Sequence, residues 1–324
     1  MAAREPATGA GRLTAVNAFL PAIARHGRLA LVAGLLAGLT LPDLAALIRP
    51  WLPHLVALLL FLTAFRIGLR QAAGSLAEAR SGLMLIAVFQ LAMPLAALVI
   101  FWALGLMATP FAIAVMLMLT APGVSGAAAF TALLGRDPAP ALRLLIAGIA
   151  VFPVTVMPIL WAAQGLGDMA DVLAASARLL VVITLSSALG FALRRLIPAP
   201  DLRQVDGLNA IALFVIVIGL MAAVGPALRT DPALVLKWLA GVSAVNFGLQ
   251  TACYLLLRGR GGSDPTGPSI IAGNRNVALF LLALPAATTD PLLIFIGVYQ
   301  VPMFLTPIAM RWLYTPRPDQ KAAY

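Results

Sequence analysis

The sequence predicts an all-α membrane protein of ten transmembrane helices, arranged as two inverted repeats of five. Three observations carry that reading. The chain of 324 residues is 62% hydrophobic and only 10% charged, far more apolar than a soluble domain needs. Uncharged runs near the roughly 20 residues that a bilayer core requires recur along its length. Two of these runs, the fourth and the ninth, are interrupted at matching places in the two halves, by Thr120-Ala121-Pro122-Gly123-Val124-Ser125-Gly126 and by Gly273-Asn274-Arg275-Asn276. Broken spans at corresponding positions are the best sequence pointer to a transporter's binding site.

Residues 1–28 form a polar lead whose part Leu13 to Ile23 is weakly amphipathic and suited to the membrane surface. It does not read as a signal peptide, because arginines precede the first apolar run and no cleavage-like site follows a short apolar core. The first repeat, 29–163, holds spans at Leu29–Leu47, Trp51–Leu69, Gly82–Leu104, Ala108–Leu134 and Ala141–Ala163. The third contains Gln90 and Pro94, and the fifth Pro153 and Pro158. After a short polar loop with Asp168 and Asp171, the second repeat, 172–314, holds spans at Val172–Leu193, Gly207–Val224, Ala233–Leu257, Thr266–Ala286 and Leu292–Leu313, and 315–324 is a tail.

Loop charge sets the expected orientation. Seventeen arginines and lysines fall on one side of this scheme and four, Arg49, Arg178, Arg229 and Lys237, on the other. The positive-inside rule therefore predicts both termini in the cytoplasm, as in a bacterial inner membrane. The net charge of +10 reads as topogenic rather than as a nucleic-acid surface. Cys253 has no partner cysteine, and His26 and His54 are the only histidines, so neither a disulfide nor a metal cluster is expected. No zinc-protease motif, pair of membrane aspartates or Ser/His arrangement occurs in the spans, which speaks against an intramembrane enzyme.

The chemistry is expected at the two breaks. Pro122-Gly123 ends one half-helix near Thr120, leaving partly negative carbonyls, and a second starts at Ser125-Gly126 with Ser125 as N-cap. At Gly273 the same recurs in the opposite direction, with Asn274 or Asn276 as cap. If the breaks cross at midplane, paired helix ends make one anionic and one cationic locus. Arg275 sits in the middle of this. A charge at membrane depth costs roughly 2.5–3.5 kcal/mol on insertion scales and marks a functional site. Either half-helix carbonyls or an anionic substrate must offset it, unless it snorkels to the interface. Gln90 and Asn246, near mid-span, and Gln300 and Tyr299 in the tenth span complete the candidate substrate site. Asn209, Gln250, Thr63, Thr131, Thr155 and Thr184 are further polar residues within spans.

This pattern resembles the bile acid/sodium symporter family. Its fourth span carries Pro-Gly-Gly-Thr-Ala-Ser-Asn where this chain has Pro122-Gly123-Val124-Ser125-Gly126-Ala127-Ala128. Its ninth carries Glu-Val-Gly-Met-Gln-Asn-Ser-Gly-Leu-Ala where this chain has Ile271 through Phe280. Its third carries a glutamine just ahead of a Met-Pro pair, matched by Gln90 before Met93-Pro94. The resemblance spans residues 29–314. It implies a ten-span inverted-repeat fold with two crossing discontinuous helices, and transport of a small organic anion by alternating access.

The departures are as informative. The family's sodium ligands in the fourth span correspond to Ala127 and Ala128, its acidic ligand to Ile271, and its following glutamine to Arg275. Methyl groups cannot ligate sodium. A sodium-independent organic-anion carrier, with a tethered guanidinium in place of the ion and no cofactor, is therefore expected. The alternatives are a sodium symporter whose site is relocated to carbonyls, Ser125, Gln90 and Asn276, and a non-transporting anion receptor. Arsenite, carried in a related fold by a fourth-span cysteine, is disfavoured because that region reads Leu119-Thr120-Ala121-Pro122.

Overall fold

The computed structural model describes residues 19–77, 80–162, 169–197, 200–259 and 264–315. The lead up to residue 18, including most of the amphipathic stretch from Leu13, Asp168 and the loop from 163, Arg260, and the tail from 316 with Arg317 and Lys321 lie outside the described residues. Those described are almost wholly helical and contain no strand. In order they form α1 (Phe19–Arg25), α2 (Gly27–Thr40), α3 (Pro42–Ile67), α4 (Leu69–Ala77), α5 (Gly82–Ala103), α6 (Pro110–Thr120), α7 (Ala127–Leu133), α8 (Ala139–Thr155) and α9 (Met157–Ala162). There follow α10 (Met169–Leu196), α11 (Leu202–Thr230), α12 (Pro232–Leu257), α13 (Thr266–Gly273), α14 (Phe280–Ala283), α15 (Ala286–Ala309) and α16 (Arg311–Tyr314).

Six of these, α3, α5, α10, α11, α12 and α15, are long and apolar enough to cross a membrane, which marks a membrane-spanning protein. The remaining predicted spans differ from their expected bounds. The first does not run from Leu29 to Leu47. Its helix stops at Thr40, because Leu41 leaves helical geometry (φ −114°, ψ 71°) and Pro42 starts a new helix at its first turn. The residues expected to finish span one, Pro42–Ile48, instead run through a 3₁₀ turn at Arg49–Trp51 into the second span. The fifth divides at Val156 into α8, with Pro153 inside it, and the short α9, and the fourth and ninth are interrupted as expected.

Packing sorts the helices into two groups. Leu52–Ile67 of α3 packs against α10 and Leu202–Leu220 of α11, and that part of α11 against α2. In the other group α13 lies between α12 and α8 and also touches α7, while α12 packs on α15. Side chains on α12 are among the least enclosed of the long helices, whereas α13 is buried along its whole length.

Each break has a local cause. Pro122 has no N–H to continue α6, and Ala121 before it takes φ −59°, ψ 148°, the region that a following proline enforces. The second break has no proline. There Asn274 is extended (φ −104°, ψ 96°) and its side-chain amide donates to the Ile270 carbonyl at 3.0 Å. Asn274 thus closes the C-terminus of α13 and is not the N-cap expected of it. Asn276 precedes the 3₁₀ turn Val277–Leu279 without a side-chain capping bond, and α7 begins after Gly126, also uncapped. Ser125 therefore does not serve as the expected N-cap: it lies one residue too early, in the turn before α7.

Candidate functional site

The two breaks meet. Gly123 and Arg275 form an antiparallel bridge, in which the Val124 N–H donates to the Asn274 carbonyl (3.0 Å) and the Asn276 N–H to the Pro122 carbonyl (2.8 Å). Irregular backbone in a membrane is tolerated only where its polar groups find partners. Here each break supplies partners to the other, through reciprocal bonds flanking one residue pair. A Cβ at Gly123 would lie 3.1 Å from the Ile271 side chain, so any larger residue would have to displace Ile271.

Arg275 does not snorkel. It is 1% exposed, and no carboxylate among the described residues pairs with it. Its Nε donates to the Ala272 carbonyl (3.0 Å) and its Nη1 to the Ala121 carbonyl (3.2 Å). These oxygens belong to the C-terminal ends of α13 and α6. Each helix end carries roughly half a negative charge, so two of them together match about one guanidinium charge. The face of Phe89 adds a cation–π contact, 4.9 Å from ring centroid to Cζ. Nη2 is buried and has no partner among the described residues.

A closed hydrogen-bond network fixes this crossing. The Tyr299 hydroxyl accepts from the Arg275 N–H (2.6 Å) and donates to the Gly273 carbonyl (2.5 Å). Asn246 Nδ2 donates to the same carbonyl (2.7 Å) and to Asn274 Oδ1 (3.1 Å). Gln250 Nε2 donates to Asn246 Oδ1 and to the Thr306 hydroxyl, which donates to Asn274 Oδ1, while Gln250 Oε1 accepts from the Tyr314 hydroxyl. Gly273 has no room for a side chain, as a Cβ would come 2.3 Å from the Asn246 carbonyl oxygen. Asn246, Asn274 and Tyr299, read from sequence as substrate ligands, thus have their polar groups engaged within the protein. Gln90 is likewise engaged. It lies in a π-helical turn before Pro94, donates to the Gly148 carbonyl (3.1 Å) and accepts from Thr155 (2.7 Å). The Thr120 hydroxyl turns back to its own helix at Met116.

Beside the crossing lies a cavity. Its wide part, about 560 Å³, is walled by α3, α11 and α7. The small side chains of α7, Ala128, Ala129 and Ala132, leave this space open, and Leu59, Ile67, Leu142, Leu145 and Leu213 make the rest of the wall largely apolar. Arg66 and Asp206 line it and are joined as an exposed ion pair, with Thr63, Gln71, Asn209 and Ser125 also in the wall. A small space of about 30 Å³ is lined by Arg275, Asn276, Gln300 and Ser125 and shares Leu59, Ser125 and Leu213 with the wide one. The two spaces adjoin at those residues, and the small one has room for about one water.

Of the predicted site residues, the structure thus brings Arg275, Asn276, Ser125 and Gln300 to the cavity. Pro122, Gly123, Gly273, Asn274, Asn246, Tyr299 and Thr120 build the crossing behind it, and Gln90 joins α5 to α8. Arg66, Asp206 and Asn209 are cavity residues that the sequence reading did not place at the site. Their signal was available: Asp206 and Asn209 are three residues apart and share one helix face. Neither the models of known protein families nor the curated proteins gave a match to this sequence.

Proposed function

We propose that this chain is a secondary transporter of a small organic anion, built like the bile acid/sodium symporters as two inverted five-span repeats, in which Arg275 takes the place of the coupling cation. The observation that carries this reading is the guanidinium bonded at once to the Ala121 and Ala272 carbonyls. A cation-binding locus made from two helix ends is there filled by a charge that cannot leave. The guanidinium still has one N–H group, Nη2, without a partner among the described residues, and that free donor favours an anionic group in the adjoining space. The cavity volume falls within the range of small-molecule sites, about 300–1,000 Å³, and its largely apolar wall suits an amphipathic solute.

On this reading the Arg66 side of the cavity faces the cytoplasm, by loop charge. A relocated sodium site is less well supported. Gln90 is bonded elsewhere, and the space near Ser125 and Asn276 is shared with a guanidinium that repels cations.

The test is uptake of a panel of labelled amphipathic carboxylates and sulfonates into proteoliposomes holding the purified chain. Uptake is expected to persist when potassium replaces sodium on both sides, and to be lost in Arg275→Ala. Strict dependence on sodium, or ligand binding without any translocation, would overturn the proposal.

A further inference from the structure

The wide cavity is chemically lopsided in a way that a plain anion does not use. At its inner end it adjoins the small space lined by Arg275, whose Nη2 has no partner among the described residues. Towards its mouth α11 presents acceptors: Asp206, then Asn209 one turn further in on the same face. The Asn209 Oδ1 is buried and has no donor among the described residues, and buried polar atoms without a partner are rare enough to need a reason. The Asp206 carboxylate accepts from Arg66 Nε and Nη2 across the mouth, but both side chains remain well exposed, at 38% and 45%. That pair is open to exchange with a charged solute. Between the two ends Leu59, Leu142, Leu145 and Leu213 offer an apolar wall.

Resting on the anion-transport reading, we propose that the preferred solute is amphoteric. Its carboxylate lies in the wide cavity beside Ser125, on the side towards Arg275, and an ammonium or other N–H donor several bonds away meets Asn209 Oδ1 and Asp206. The apolar wall holds the methylene linker between them.

The test compares matched pairs that differ only in the donor: hexanoate with 6-aminohexanoate, and octanoate with 8-aminooctanoate. Binding is read from thermal stabilisation of the purified full chain, and uptake from proteoliposomes in potassium medium. In at least one pair the amino member is expected to bind about tenfold or more tightly than its plain partner. Asp206→Asn should bring that ratio to one or below, by weakening the amino member while freeing Arg66 for the plain acid. Asn209→Leu should lower the ratio without touching the ion pair, which keeps the test valid if Asp206→Asn fails to fold. Opposite shifts for the two members are not what a merely structural role would give. If carboxylates are carried but the amino members are not favoured, this inference fails and the transport reading stands. If no anion is bound or carried, both fall.

Discussion

Replacing Arg275 by alanine removes a buried charge from the crossing and exposes how it is held. The guanidinium makes two charge-assisted bonds, to the Ala121 and Ala272 carbonyls. At about 1.5–3 kcal/mol each, their loss amounts to about 3–6 kcal/mol if both carbonyls are left dry. Water entering the vacated space would recover part of this. A free cation of suitable size should recover more, because two helix ends would again face an empty cationic locus. The assay is the thermal unfolding of purified wild-type and Arg275→Ala protein in detergent, with added potassium, sodium, tetramethylammonium or millimolar guanidinium. Wild-type stability should not discriminate between sodium and potassium. The variant should melt earlier and be partly rescued by guanidinium or sodium, but not by tetramethylammonium, which is too bulky for the space. Two results would refute the reasoning. One is a wild-type protein stabilised specifically by sodium. The other is a variant within about 0.5 kcal/mol of wild type and blind to every cation, since surface-like changes rarely exceed that.

Tyr299→Phe keeps the ring but strips the hydroxyl from between the Arg275 N–H and the Gly273 carbonyl. The orphaned amide should cost about 1–3 kcal/mol, measurable by denaturation midpoint, and a neutral outcome would mean that water takes the hydroxyl's place. Gly273→Ala sets a Cβ 2.3 Å from the Asn246 carbonyl oxygen and 2.6 Å from Gln250 Cγ. We expect poor yield of folded protein by size-exclusion chromatography, with Gly248→Ala as a tolerated control because nothing lies within 4 Å of its added Cβ. Arg49→Ala breaks the Arg49–Asp290 pair, whose side chains are 42% and 45% exposed. It should change stability by less than about 1 kcal/mol in the same unfolding assay.

The membrane class, the apolar helices and the positions of both interruptions were legible in the sequence because they follow from local chemistry. A run without charges partitions into hydrocarbon whatever its neighbours do. Pro122 cannot donate to a helix, and the arginine at 275 is conspicuous among apolar residues. The readings that failed depended on a single residue of register or on three-dimensional partners. Ser125 precedes α7 by one residue too many to cap it. The first span ends early because Pro42 starts a helix of its own, although apolar residues resume directly after Pro42-Asp43.

What the sequence determined by itself was where the helices must break and that a charge would be buried there. What only the tertiary structure decided was how that charge is satisfied and which polar groups stay open. Asn246, Asn274, Gln250 and Tyr299, polar residues of comparable sequence appeal, are tied with Thr306 and Tyr314 into one network, while Asn209, Ser125 and Gln300 are left beside the cavity. The reason is that a hydrogen bond has two ends. A sequence names the donors and acceptors, but the crossing of α6 with α13, some 150 residues apart in the chain, selects which of them meet.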